Sequence, residues 1–207
     1  MADIVYTIGH STHPLERFIA LLQRHEITAI ADVRSKPYSR MNPQFNREEL
    51  KVALRAQGMA YVFLGKELGA RSGDPSCYHE GKVQYGRLAR TDLFQQGLER
   101  VREGAQEYRI ALMCAEKEPL DCHRTILVAR HIVAQGMEVR HILGDGRLEE
   151  HAELMARLVR QLNLPEGDMF AAPEEVTQEA YRLQEDRIAY DTGANAAGTE
   201  AVRSAAG

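Results

Sequence analysis

The sequence predicts a three-layer α/β sandwich, Rossmann-like, built on a mostly parallel sheet of five or more strands. Three observations carry this. Short β-branched runs alternate with amphipathic stretches in a β-α-β-α-β order over the first third of the chain, the pattern of parallel strands joined by right-handed crossovers. Three apolar strands end in polar residues rather than ordinary turns, as strands do where an open α/β sheet keeps its chemistry. A chain of 207 residues accommodates one such domain and leaves little room for a second.

Ile4 to Ile8 is a buried strand, ended by Gly9-His10-Ser11-Thr12. Leu15, Phe18, Ile19 and Leu22 then recur at helical spacing, with Thr12 or His13 as N-cap and Pro14 in the first turn. Thr28 to Val33 is the second strand and runs into Arg34-Ser35-Lys36. Asn46 is expected to cap a helix from Arg47 to Gln57, stopped by Gly58, and Tyr61 to Leu64 is the third strand. Between Gly65 and Gly86 five glycines and Pro75 remove all periodicity; this loop is expected to border the site as a lid. A helix from about Leu88 to Glu103 leads to the strand Arg109 to Cys114. A polar loop broken at Pro119 follows, then a helix from Thr125 to Gln135 with Asp121 as N-cap. Glu138 to Leu143 is a fifth strand and Leu148 to Leu162 a further amphipathic helix. Pro173 to Ile188 reads as one charged helix with a stripe of Val176, Ala180, Leu183 and Arg187. Residues 1–147 form the domain, 148–190 helices packed on it, and 191–207, poor in large apolar side chains, a disordered tail. There is no internal repeat.

With 26 basic and 30 acidic side chains, a formal charge of −4, the chain lacks the basic excess of a long-duplex binder, although a local basic pocket is compatible with it. No apolar run approaches the roughly 20 residues that span a bilayer. The N-terminus has no signal pattern, and three cysteines make no disulfide framework, so a cytoplasmic protein is expected.

In a parallel sheet the strand C-termini share one edge, so Gly9-His10-Ser11, Asp32-Val33-Arg34-Ser35 and Cys114-Ala115-Glu116 should converge there with Cys122-His123-Arg124. The helix start at Cys122 favours an anion or an ionised thiol. Three chemistries compete. In one, Cys114 and Cys122 only pack, while His10, Asp32 and Glu116 do acid–base work and Arg34 and Arg124 grip an anion. In the second Cys122 is a nucleophile; Cys114 and Arg124 are spaced wrongly for a cysteine-phosphatase loop. In the third, Cys114, Cys122 and His123 hold zinc, although Cys-x₇-Cys-His is no recognised finger or ribbon spacing. The first is preferred, with no obligatory cofactor. Ser11, Ser35 and His123 join the two arginines as anion-binding candidates, and Cys122 stays among the catalytic ones. Lys36, Arg40 and Arg71 read as solvated surface charges, and Cys77 as incidental.

Thr7-Ile8-Gly9-His10-Ser11, Asp32-Val33-Arg34-Ser35-x-Pro37, Asn42-Pro43-x-Phe45-Asn46, Leu68-Gly69, Cys114-x-Glu116 with Cys122-His123-Arg124, and Val139-x-His141-Ile142 occur in that order. Together they resemble the family of domains of unknown function DUF488, over about residues 4 to 145. The resemblance implies a bacterial and archaeal α/β domain and leaves the reaction open. The function expected is an enzyme acting by hydrolysis or group transfer on a small phosphorylated or nucleotide-like substrate. The alternatives are a non-catalytic domain sensing a nucleotide or nucleic-acid end, and a zinc-dependent or cysteine-nucleophile enzyme. A small anionic substrate is the expected partner, with no membrane; self-association is left open.

Overall fold

A computed structural model describes residues 4–165 and 172–193. Its centre is a six-stranded sheet in the order β3-β2-β6-β1-β7-β8. The strands are β1 (Ile4–Gly9), β2 (Ala29–Asp32), β3 (Ala60–Phe63), β6 (Ile110–Cys114), β7 (Glu138–Ile142) and β8 (Leu148–Glu150). The first five are mutually parallel and β8 is an antiparallel edge. The chain moves one way across the sheet from β1 to β3 and the other way through β6 to β7. Right-handed crossovers therefore place helices on both faces.

Alternation along the strands divides the core accordingly. Tyr6, Ile8, Ile30, Ala111 and Met113 face α1 (Leu15–Arg24) and α2 (Arg47–Ala56), which bury Phe18, Leu21, Leu22, Leu50 and Leu54 against them. Val5, Ala29, Ala31, Leu112 and Cys114 face the other layer. That layer contains α4 (Asp92–Glu107), a π-helix (Arg124–Ala129) running into α5 (Arg130–Ala134), α6 (His151–Gln161) and α7 (Pro173–Ile188).

Several expected boundaries shift for local reasons. Pro14 itself is the N-cap of α1, and no side chain caps that helix. Asn46 stands at the N-cap of α2, but its amide oxygen accepts from Ser39 N instead. The segment 65–86 is not formless. It holds a 3₁₀ turn at Pro75–Cys77, a small hairpin of β4 (Tyr78–His79) and β5 (Lys82–Val83), and the single turn α3 (Tyr85–Leu88). Cys77 packs in the core. The helix expected from Leu88 starts at Asp92, because Thr91 caps it by accepting from Phe94 N. Leu148 opens no helix; it begins β8, which pairs with β7.

Helix α7 spans the expected residues, but its buried face is Val176, Ala180, Tyr181 and Gln184, while Leu183 is half-buried and Arg187 exposed. Asp191, expected to open the tail, pairs with Lys82 across an isolated bridge, and Thr192 N donates to Gly81 O. The remainder of the expected tail, 194–207, lies outside the described residues.

Candidate functional site

Beyond β6 the chain makes a 3₁₀ turn at Pro119–Asp121, and Cys122 follows in extended conformation. His123, not Asp121, is the N-cap of the next element, which starts at Arg124 and is a π-helix rather than the expected α-helix from Thr125. The Asp121 carboxylate instead accepts from Gln184 Nε2 at 3.2 Å. Cys122 O accepts from the amides of Thr125 and Ile126, and Cys122 Sγ accepts from Arg124 N at 3.5 Å. The sulfur thus serves an amide that side-chain oxygens satisfy in ordinary helices.

Around it stand Cys114 from the end of β6, Glu116 and His123. His123 Nδ1 lies 3.6 Å from Cys114 Sγ and 3.9 Å from Cys122 Sγ, and Glu116 Oε2 lies 2.9 Å from Cys122 Sγ. Both sulfurs and the imidazole are buried. Glu116 is exposed as a residue, while its carboxyl tip turns inward to the sulfur. Burial acts against charge on every member. It raises the Cys114 thiol and the Glu116 carboxyl above their usual ranges. At Cys122 burial is outweighed by hydrogen bonding from Cys114 and by the charges of Arg124 and His123, and the thiol is held well below its usual value. Burial would also lower His123, but its pairing with Cys122 raises it.

A second network lies beside this one. Asp32 is fully buried and accepts from Arg34 Nε and from the same guanidinium's NH2 at 2.6 Å, with Tyr61 OH at 2.7 Å. Arg34 also donates to Phe45 O. His10 stacks on Phe45, with ring centroids 4.3 Å apart. Its Nδ1 faces Ser11 O at 2.8 Å, so Nδ1 carries the proton, and Nε2 accepts from Arg34 NH1 at 3.2 Å. Burial, with the Arg34 charge also opposing protonation, pushes His10 down to about 4. The networks meet at the backbone between Asp32 and Arg34, where His123 Nε2 lies 3.0 Å from Val33 O.

Above them opens a cleft of about 540 Å³. Cys114, Ala115, Glu116 and His123 line it, with Arg34, Ser35 and Lys36 beyond β2. The 65–86 segment contributes Ala70, Arg71, Lys82 and Tyr85, so it borders the site as expected. The end of α7 supplies Asp186 and Arg187, with Tyr190 just after it.

The structure therefore brings together only part of the expected set on this cleft. His10, Asp32, Arg124, Cys122 and Ser11 are not among its lining residues. The His10 Nε2 lone pair is directed at Arg34 NH1, at 3.2 Å, rather than at the cleft. Arg34 is among the lining residues, but its guanidinium is buried and engaged by Asp32, His10 and Phe45. Arg124, expected to grip an anion, is fully buried and donates to the carbonyls of Glu116 and Lys117. Ser11 turns at φ 49°, and its amide donates to Ala115 O. Ser35 Oγ accepts from Arg71 N at 3.0 Å, tying the segment that borders the cleft to the end of β2. Lys36 and Arg71, taken as surface charges, belong to the cleft. Lys82, Asp186, Arg187 and Tyr190 of the cleft, and Tyr61 on Asp32, carried no signal, because only the fold brings them into place.

A doubly wound α/β protein with a polar cleft at the C-terminal edge of its central strands is the class that fold and site define. Residues 14–131, more than half of the chain, match the family described as Domain of unknown function DUF488, and the chain belongs to that family. No curated protein and no solved structure matches it.

Proposed function

We propose that the chain is an enzyme that binds a small anionic substrate, phosphorylated or nucleotide-like, in this cleft and acts on it by hydrolysis or group transfer. The observation that carries the reading is a basic rim set over a floor of titratable side chains. Lys36, Arg71 and Arg187 stand on the rim, while Lys82 is paired with Asp186 at 3.4 Å. Arg71 lies 4.3 Å from the Tyr190 ring centroid, which holds its guanidinium in place while leaving its in-plane donors to an anion. The floor is Cys114, Glu116 and His123. The volume falls within the range of small-molecule sites, roughly 300–1,000 Å³, and is small for duplex contacts.

Acid–base work falls to Glu116 rather than His10. Its carboxyl faces the cleft floor, and its raised pKa lets it hold a proton nearer neutrality than an ordinary glutamate. Asp32, Arg34 and His10 support the floor from behind. Cys122 is buried and off the cleft, which weighs against direct attack by its sulfur.

Thermal-shift and calorimetric titration with inorganic phosphate, pyrophosphate and nucleotides tests the binding step. Stabilisation by at least one of these anions is expected, weakened about tenfold or more in Lys36→Ala/Arg71→Ala, the cost of losing charge-assisted contacts. Turnover of the bound ligand should be lost in Glu116→Gln with binding retained. An anion bound equally well by the double variant would refute the rim assignment; binding without turnover in the native chain would favour the sensing alternative.

A further inference from the structure

We propose that Cys114, Glu116, Cys122 and His123 form a binding site for one zinc-type transition-metal ion, with Glu116 as its exchangeable ligand on the cleft side. The four donor atoms lie within 4.8 Å of one another. A tetrahedral zinc, with bonds of about 2.3 Å to sulfur and about 2.0 Å to nitrogen, separates those ligands by roughly 3.5 Å. The two sulfur–nitrogen distances here are 3.6 and 3.9 Å. The Glu116–Cys122 distance of 2.9 Å is shorter, and a turn of the carboxylate relieves it.

The histidine tautomer points the same way. Val33 O can only accept, so His123 Nε2 carries the hydrogen. Nδ1 is then the nitrogen turned to both sulfurs, and a metal ion would take the place of its proton. That is the form a metal-binding histidine takes when a backbone carbonyl orients its far nitrogen. Two thiolates and an imidazole select zinc or a similar soft ion over magnesium or calcium.

Charge supplies a separate observation. Arg124 is fully buried beside this cluster, its described hydrogen-bond partners are neutral groups, and its Nε has none. Arg124 N already donates to Cys122 Sγ at 3.5 Å, so the cation sits against the sulfur ligands. Two thiolates and a carboxylate around a divalent ion sum to one negative charge, which suits a buried cation at that position. Backbone packing also fixes the ligand loop. A Cβ on Gly9 would lie 1.8 Å from Glu116 O and 3.2 Å from the Arg124 guanidinium. Cys114, Cys122 and His123 are buried while Glu116 is exposed, so three ligands are enclosed and Glu116 can yield to water or substrate, its carboxylate being free for acid–base work only when released. This last step rests on the enzyme reading above; the site itself does not.

The test is metal analysis of the untagged full chain purified without chelators. About one zinc per chain is expected. Cobalt(II) replacement should show intense visible bands of tetrahedral geometry and a near-ultraviolet thiolate band. Cys114→Ser and Cys122→Ser should lose affinity by more than the roughly 10–100-fold typical of second-shell changes. Glu116→Gln should keep the metal and alter the cobalt bands. Should the cysteine variants fail to fold, the native chain answers alone: chelation should expose two thiols to alkylation together, and zinc should protect both. A chain that takes up neither zinc nor cobalt, with thiols indifferent to chelator, overturns the proposal. So does rapid labelling of Cys122 alone, blocked by phosphate. Bound zinc whose cobalt spectrum ignores phosphate and nucleotides supports the site and counts against the substrate reading. Anion binding that depends on Lys36 and Arg71 without any metal does the reverse.

Discussion

Asp32 shows how much of this molecule hangs on single buried groups. Its carboxylate receives Arg34 through two guanidinium nitrogens and the Arg34 amide, and Tyr61 from the side. Arg34 is buried as well and, its ion pair outweighing the desolvation that opposes it, stays charged. Asp32→Asn keeps the shape and removes the counter-charge, leaving a buried cation; the expected loss is about 3–5 kcal/mol in urea unfolding. A loss below about 1 kcal/mol would mean that water reaches the pair and that it is not part of the core. Gly9 is decided by space alone. The Glu116 carbonyl occupies the volume a methyl group needs, so Gly9→Ala must displace the 115–117 loop. The expected outcome is a folded but destabilised chain, its melting temperature lower by several degrees and its cleft ligands lost. Unchanged ligand affinity in Gly9→Ala would show that the loop moves aside freely.

At the scale of elements, two features set the layer that carries the site. The π-helix Arg124–Ala129 is a rare form, and all six of its residues are buried. A wider turn here lets Cys122 Sγ and the Arg124 guanidinium both face the β6 loop, on which that guanidinium bonds two successive carbonyls. Behind it, a chain of hydrogen bonds joins the central strand to α7. Thr7 Oγ1 meets His141 Nδ1 at 2.8 Å, His141 Nε2 meets His151 Nδ1 at 3.0 Å, and His151 Nε2 meets Tyr181 OH at 2.6 Å. At the His141–His151 contact one nitrogen must accept, so at least one ring is neutral, and burial opposes charge on both. Burial lowers both, His151 to about 4 and His141 well below its usual value. These are depressed histidines, so their contribution is complete above the unfolded value of about 6.5 and declines as pH falls toward 4. Stability should therefore drop by roughly 1.4 kcal/mol per pH unit for each histidine across that window. Urea midpoints at pH 7.5, 6 and 5 would measure it, and His151→Gln should flatten the slope by about one proton. A flat profile in the native chain would mean that the latch opens to water.

Taken whole, the molecule was legible in the sequence where hydrophobic period decides structure. Parallel strands, their polar ends and the span of α7 follow from residue spacing. The site was legible only as a neighbourhood. Residue type marked Cys114, Glu116, Cys122 and His123, but nothing in the sequence says that the His10 lone pair is taken by Arg34, or that Arg124 turns inward. The C-terminal contribution was missed because α7 presents Val176, Ala180 and Tyr181 to the core that also holds β6 and the π-helix, a tertiary fact. That shared core carries the last prediction. Gln184 Nε2 donates to Leu120 O and the Glu185 carboxylate accepts from Tyr85 N, so α7 ties the ligand loop to the 65–86 segment. The family match stops at residue 131, yet its core continues into α6 and α7. Truncation after Leu164 strips the cover from this layer. Val176 and Tyr181 alone represent about 4 kcal/mol of burial, a large fraction of the 5–15 kcal/mol typical of a domain. The intact chain should unfold in one transition, and the truncated chain should melt far lower, bind hydrophobic dyes and lose cleft ligands. A truncated chain that melts unchanged would show instead that α7 merely rests on a domain complete without it.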